Sequence, residues 1–224
     1  MNKNNNLVQL KNITKTFPGV LAVDNVDFDL KYGEVHALVG ENGAGKSTLI
    51  KILGGVYHPD NGEIIFDGNK ISLSSPQESK LNKISVIYQE FNLVPDLSVA
   101  ENIFIGKEPR MIGNLFINWK KINSDASKLL NKLGVNIDSR KYIDDLSVAE
   151  RQMVEIAKAL SFESKLIIMD EPTATLTNKE VRKLFSVIKD LREQGVSIIY
   201  ISHRLEEAFE LSDRITVLRD DKKI

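Results

Sequence analysis

Gly40-Glu41-Asn42-Gly43-Ala44-Gly45-Lys46-Ser47, GENGAGKS, stands between a short apolar run, Val35–Val39, and a helical pattern that begins at Lys46 and stops before Gly54-Gly55. Two glycines, a lysine and a hydroxyl at these offsets arise by chance on the order of once in 100 chains of this length. A strand before and a helix after are the context that a phosphate-binding loop requires. Gly43 and Gly45 permit backbone conformations that turn successive N–H groups inward, and the following helix end adds a positive dipole. Lys46 is placed to reach β- and γ-phosphates, Ser47 to ligate Mg²⁺, and Thr48 to bond on the α-phosphate side. The loop therefore predicts ATP and Mg²⁺ as ligands.

Outward from the loop, strands alternate with helices. Leu166–Met169 reads as a second buried strand, Ser197–Ile201 as a third and Ile215–Leu218 as a fourth. Between them Val181, Leu184, Phe185, Ile188 and Leu191 recur at helical spacing, opened by a Thr177/Glu180 capping box and closed by Gly195. Arg204–Leu211 is expected to be a helix. Buried strands separated by helices imply a largely parallel sheet covered on both faces. Leu7–Asn12, Val23–Leu30 and Glu63–Phe66 pattern instead like antiparallel strands, and residues from about 91 to 160 like helices.

The strand Leu166–Met169 runs into Asp170-Glu171, which places two carboxylates at the sheet edge where ligands sit in open α/β folds. Asp170 suits a water-mediated hold on Mg²⁺, and Glu171 suits polarisation of an attacking water. The bland alternative, a polar strand exit, loses weight beside the phosphate loop.

The 224 residues are 42% hydrophobic and 27% charged, as in an ordinary soluble protein. With 30 basic and 31 acidic residues and no basic block, nothing suggests binding to nucleic acid through its phosphates. No cysteine is present, which excludes disulfides and thiolate metal sites. MNKNNN at the start is not a signal peptide, and runs such as Val196–Ile201 are too short to cross a bilayer. A cytoplasmic location is the expectation, with any membrane attachment supplied by a partner.

Six segments taken together, FPGV at 17–20, GENGAGKST at 40–48, YQEFNLVPDLSVAENIF at 88–104, LSVAERQMVEIAKAL at 146–160, LIIMDEPTATLT at 166–177 and ISHRLEEAF at 201–209, resemble the ATPase domain of ABC transporters. The likeness covers essentially the whole chain, in the family's order. The wording is nearer still to the first of two ATPase domains in importers of ribose, galactose, xylose and related monosaccharides. The resemblance implies an α/β fold of the P-loop NTPase, ABC-ATPase type, with a mostly parallel core sheet, an antiparallel β lobe and a helical lobe. It implies a single nucleotide-binding domain over residues 1–224, with core and β lobe at about 1–90 and 161–224 and helical lobe at about 91–160. This domain is expected to be the N-terminal part of a longer chain with a second ATPase domain. Its expected place is the cytoplasmic face of the plasma membrane, with transmembrane permease subunits and, indirectly, an extracytoplasmic sugar-binding protein as partners.

The resemblance also assigns roles. Gly40, Glu41, Asn42, Gly43, Ala44, Gly45, Lys46, Ser47 and Thr48 hold nucleotide, and Phe17, 23 residues before Gly40, stacks on adenine unless it is a core or hairpin phenylalanine. Gln89 contacts Mg²⁺ or the attacking water, so that Ser47, Gln89 and Asp170 form the metal set. Glu171, His203 and Lys46 carry the catalysis, His203 through the γ-phosphate. The signature, usually LSGGQ, departs from the pattern as Leu146-Ser147-Val148-Ala149-Glu150, where valine and alanine add Cβ atoms that glycine lacks. LSVAE occurs twice, at 97–101 and 146–150, so the string itself establishes only a capped helix start. Position selects the second copy, and Ser147 is expected to face a partner's nucleotide. After DEPT the usual aspartate is replaced as well, by Thr177. Both departures point to functional asymmetry with a dissimilar second domain, and to little ATP hydrolysis by this chain alone.

Docking to membrane subunits is expected along roughly Glu90–Asn118, with Phe91, Phe104 and Phe116, although at least two of these read better as core residues. Chromosome-maintenance ATPases are disfavoured, because only about 120 residues without sustained heptads separate Gly45 from Asp170. A GTPase is disfavoured because no guanine-reading NKxD follows a strand. A soluble ABC protein without a transporter, and a nucleoside importer, stay open as alternatives.

Overall fold

The computed structural model describes residues 5–41, 43–111, 116–219 and 222–223. The chain runs β1 (Asn6–Phe17), β2 (Val20–Lys31), β3 (Val35–Gly40), α1 (Lys46–Leu53), β4 (Asn61–Phe66), β5 (Asn69–Ile71), α2 (Pro76–Leu81) and β6 (Ile84–Ile87). It continues with α3 (Val99–Phe104), β7 (Arg110–Met111), β8 (Phe116–Ile117), α4 (Trp119–Lys132), α5 (Val148–Leu160) and β9 (Leu166–Asp170). Last come α6 (Asn178–Glu193), β10 (Ser197–Ile201), α7 (Leu205–Leu211), β11 (Arg214–Arg219) and β12 (Lys222–Lys223).

Two compact units result: Met1–Val86 with Ser164–Pro172 and Ile188–Ile224, and Ile87–Glu163 with Thr173–Val187. The second differs from the expected lobe at about 91–160 by taking in Thr173–Val187, so the division falls inside α6.

The first unit contains a sheet in the order β2-β1-β4-β5, with antiparallel pairing throughout. Its core comes from alternation: Val8, Leu10 and Ile13 of β1 and Val26, Phe28 and Leu30 of β2 are buried. The other sheet runs β12-β11-β3-β10-β9-β6, and β11, β3, β10 and β9 are mutually parallel. All of Val35–Val39, Leu166–Met169 and Ser197–Ile201 are buried, which is why these strands read as continuous apolar runs. Ala208 of α7 packs on Ala37 and Val39 of β3. Leu49, Ile50, Ile52 and Leu53 of α1 are buried, each contributing about 1.5–3 kcal/mol of transfer free energy. Strand β6 and helix α2 lie beyond the pattern read from sequence. Helix α2 starts where Ser75 accepts from Glu78 N–H and Pro76 takes the first turn.

In the second unit α3, α4 and α5 pack on one another through Val99, Ile103, Ile122, Ala126, Leu130, Val154 and Ile156. Both LSVAE copies form capping boxes, Ser98 with Glu101 and Ser147 with Glu150. Thr177 and Glu180 do the same at α6, as expected. Helix α7 begins one residue later than its pattern suggested, with Arg204 as its cap.

Candidate functional site

The parallel register brings three strand ends to one edge. Leu38 of β3 is level with Ile201 of β10, and Ile201 with Asp170 of β9. The phosphate loop, the Ser202-His203-Arg204 turn and the Asp170-Glu171 pair therefore leave the sheet side by side.

Gly43 and Gly45 hold φ of 90° and 84°, conformations that side-chain-bearing residues rarely adopt. Helix α1 starts from Gly45 without any side-chain cap and without an acidic residue in its first turn. Lys46 is buried, and its Nζ donates to the carbonyls of Gly40 (2.7 Å) and Glu41 (2.8 Å). Desolvation pulls its ammonium below the usual lysine range, while the Glu171 and Asp170 charges pull it back. Asp170 is the mirror case. Burial and the Glu171 charge push it above the usual carboxylate range, against the opposing pull of Lys46 and Lys51. A phosphate or cation arriving here meets groups already short of compensating charge. Ala44 is buried, Ser47 is exposed and Thr48 is half-buried. Asn42 lies outside the described residues.

Glu171 takes a positive φ of 47°, and its N–H donates to Ile201 O at 3.0 Å. That bond ties the carboxylate turn to the end of β10, two residues before His203. His203 Nδ1 lies 3.2 Å from Glu171 Oε1, within reach of an imidazole N–H that donates to the carboxylate. Loop lysine, carboxylate pair and histidine thus come together at one sheet edge.

Phe17, at the end of β1, is half-buried. Its ring meets Tyr57 edge to face at 5.1 Å, and Lys15 Nζ sits 5.6 Å from its centroid. Lys15 is fixed by Asp60 at 2.7 Å, and Lys51 Nζ lies 5.6 Å from the Tyr57 ring. Tyr57, Lys51 and Asp60 carry no local motif, so their part was invisible in the sequence.

Gln89 and Ser147 belong to the second unit, and both are exposed. Ser147 Oγ donates to Glu150 Oε2 at 2.9 Å and accepts from Glu150 N–H at 3.3 Å. In the stretch Glu90–Asn118, Phe91 and Phe104 are half-buried, so neither is a full core residue, and Phe116 is 60% exposed. Residues 112–115 of that stretch lie outside the described residues.

The family model for ABC transporters matches residues 23–174. A ribose import ATP-binding protein of Streptomyces avermitilis is 53% identical over 224 residues, all of this chain and 42% of that protein. A putative ribose/galactose/methyl galactoside import ATP-binding protein of Agrobacterium fabrum is 54% identical over 218 residues, 97% of this chain and 43% of that one. The chain thus spans about two fifths of the length of the curated relatives it matches. Among solved structures, a nucleotide-free ATP-binding cassette from an ABC transporter aligns with TM-score 0.85 at 26% identity, over 98% of this chain and 90% of that one. A dimeric cassette in a post-hydrolysis state bound to ADP and Pi aligns with TM-score 0.81 at 29% identity, over 96% of both chains. Since the family match takes in the phosphate loop and both strand-end carboxylates, and the cassette fold extends over nearly all the rest, this chain belongs to the ABC transporter family as one of its ATPase domains.

Proposed function

We propose that the chain binds Mg-ATP and, paired with a second ATPase domain, hydrolyses it to drive import of a monosaccharide through membrane subunits. The observation that carries the hydrolytic part is the group formed by Lys46, Asp170, Glu171 and His203, in which Glu171 is coupled to Lys46 by charge and to His203 at 3.2 Å.

In this reading Lys46 gives up its loop carbonyls for the β- and γ-phosphates, while Gly43 and Gly45 present backbone N–H groups to them. Within the first unit the donors for a metal would be a hydroxyl, Ser47, and a carboxylate, Asp170; the resemblance adds the amide of Gln89. No group of three or more His, Asp or Glu that could hold a metal occurs among the described residues. An oxygen set completed by phosphate and water suits Mg²⁺. Mg²⁺, when bound, neutralises charge on the phosphates. Glu171 would accept the proton of the attacking water, and His203, whose Nδ1 stands 3.2 Å from Glu171, would contact the γ-phosphate as a hydrogen-bond donor. Phe17 stacks on the base.

The import assignment is supported by the names of the relatives, which are ribose and galactose import ATP-binding proteins. A second ATPase domain is supported by the dimeric cassette and by a relative's length of more than twice this chain. That domain would supply a signature to this loop, while Ser147 faces the partner's nucleotide. Permease subunits would dock near Glu90–Asn118, with the chain peripheral at the cytoplasmic face and a sugar-binding protein delivering substrate outside. Among the described residues no helix is long and apolar enough to cross a membrane.

The test is Glu171→Gln in the full-length protein assembled with its permease in vesicles. Turnover is expected to fall by about 10²–10⁴-fold, with ATP affinity within about threefold of the parent. Unchanged turnover would remove Glu171 from the role assigned to it. The isolated chain is expected to bind ATP and turn it over little.

A further inference from the structure

In ISHRLEEAF two glutamates stand side by side at the start of α7, and the fold treats them oppositely. Glu206 is exposed, as a first-turn carboxylate ordinarily is, whereas Glu207 is only 7% exposed. Glu207 is the third residue of α7, the place from which a capping-box carboxylate reaches back to the cap. Here the cap is Arg204, which has no hydroxyl, and the carboxylate turns elsewhere. Oε2 accepts from Tyr200 Oη at 2.7 Å and from Ser202 Oγ at 3.1 Å, and Oε1 accepts from Arg204 Nη1 at 2.7 Å. Ser202 Oγ also accepts from Arg204 N–H at 3.0 Å.

Two of these donors, Ser202 and Arg204, are the residues on either side of His203. The third, Tyr200, is fully buried in β10 and anchors the carboxylate to the sheet. The imidazole itself is 57% exposed, so packing does little to orient it. Its position against Glu171 is set by the backbone of the turn, and that backbone is gripped on both flanks by one buried carboxylate. A buried carboxylate is kept charged only by such donors, and losing it loosens all three at once.

We propose that Glu207 is the positioning residue of His203, fixing the turn so that Nδ1 meets Glu171 and Nε2 is aimed at nucleotide. The inference rests on the hydrolytic reading of His203 given above.

The experiment is a double-mutant cycle in the full-length protein with its permease, using Glu207→Gln, His203→Ala and both together. Glu207→Gln is expected to lower kcat at least tenfold with KM for ATP within threefold, and to cost nothing further in the His203→Ala background. A structural staple alone would lower turnover by the same factor in both backgrounds, and that result overturns the proposal. Full turnover in Glu207→Gln overturns it too. Tyr200→Phe, which removes one donor and keeps the ring, is the second variant should Glu207→Gln not fold. It is expected to lose three- to tenfold, again only when His203 is present, and equal loss without His203 refutes the idea. If His203→Ala itself retains full turnover, the reading of His203 fails and this inference with it. If His203→Ala loses turnover and both clamp variants keep it, only the inference fails.

Discussion

Alanine at Gly45 and alanine at Gly43 should behave very differently, although both residues sit in the same loop with nearly the same φ. At φ of 90° and 84° either alanine incurs the left-handed penalty, about 1–2 kcal/mol. At Gly43 the new Cβ meets nothing within 4 Å. At Gly45 it would stand 2.6 Å from the Ala22 carbonyl oxygen and 3.4 Å from Val23 Cγ2. The obstacle is backbone of β2, next to the buried Val23, so it cannot swing aside as a flexible side chain would. Forced overpacking of this kind adds about 1–3 kcal/mol. Gly43→Ala should then cost about 1–2 kcal/mol and Gly45→Ala about 2–5 kcal/mol. In a chain of this size each kcal/mol shifts the unfolding midpoint by about 2–4 °C. Urea unfolding of the nucleotide-free protein, with slopes compared to verify a common unfolded state, measures both. Equal losses, or a larger loss at Gly43, would show that the loop is not pressed against β2 as described.

Tyr32 donates to Asp67, which also accepts from Lys165, and this pairing pushes the phenol up to about 12. A raised pKa of this kind contributes stability that is complete below pH 10 and is lost as pH rises through 12. Tyr32 is 45% exposed, so solvent screening keeps that contribution small. In absorbance titrations of the parent and of Asp67→Asn, the difference should report one tyrosine whose ionisation moves from about 12 toward 10. Superimposable titration curves would contradict the pairing. Ser98→Ala and Ser147→Ala each remove a capping box and should each cost about 1 kcal/mol in urea unfolding. If Ser147→Ala is neutral, its box is not holding α5.

The site was legible wherever its chemistry is written in contiguous residues. GENGAGKS between a strand and a helix, and LIIM running into Asp170-Glu171, carry backbone geometry and function in one string. The capping boxes were legible for the same reason, since their bonds span three residues. What escaped depends on distant partners. Tyr57 meets Phe17 from 40 positions away, and no periodicity announces it. Glu206 and Glu207 are chemically identical in the sequence, and only the approach of Tyr200 and Ser202 makes one of them buried. Phe91, Phe104 and Phe116 showed as aromatics without a face, and the fold half-buries two and exposes the third. The fourth strand of the antiparallel sheet is three residues long, too short for alternation to register.

Helices α1 and α5 start in opposite electrical states. The first turn of α1 has no side-chain cap and no carboxylate, so its N–H groups and its partial positive charge are unspent. The first turn of α5 is answered from within: Ser147 is bonded to Glu150, whose carboxylate is held below its usual range chiefly by the Ser147 backbone N–H. An anion approaching α1 is drawn in. One approaching α5 must first displace a resident negative charge or see it neutralised. Receptivity to an anion thus differs between two helix starts of a single chain.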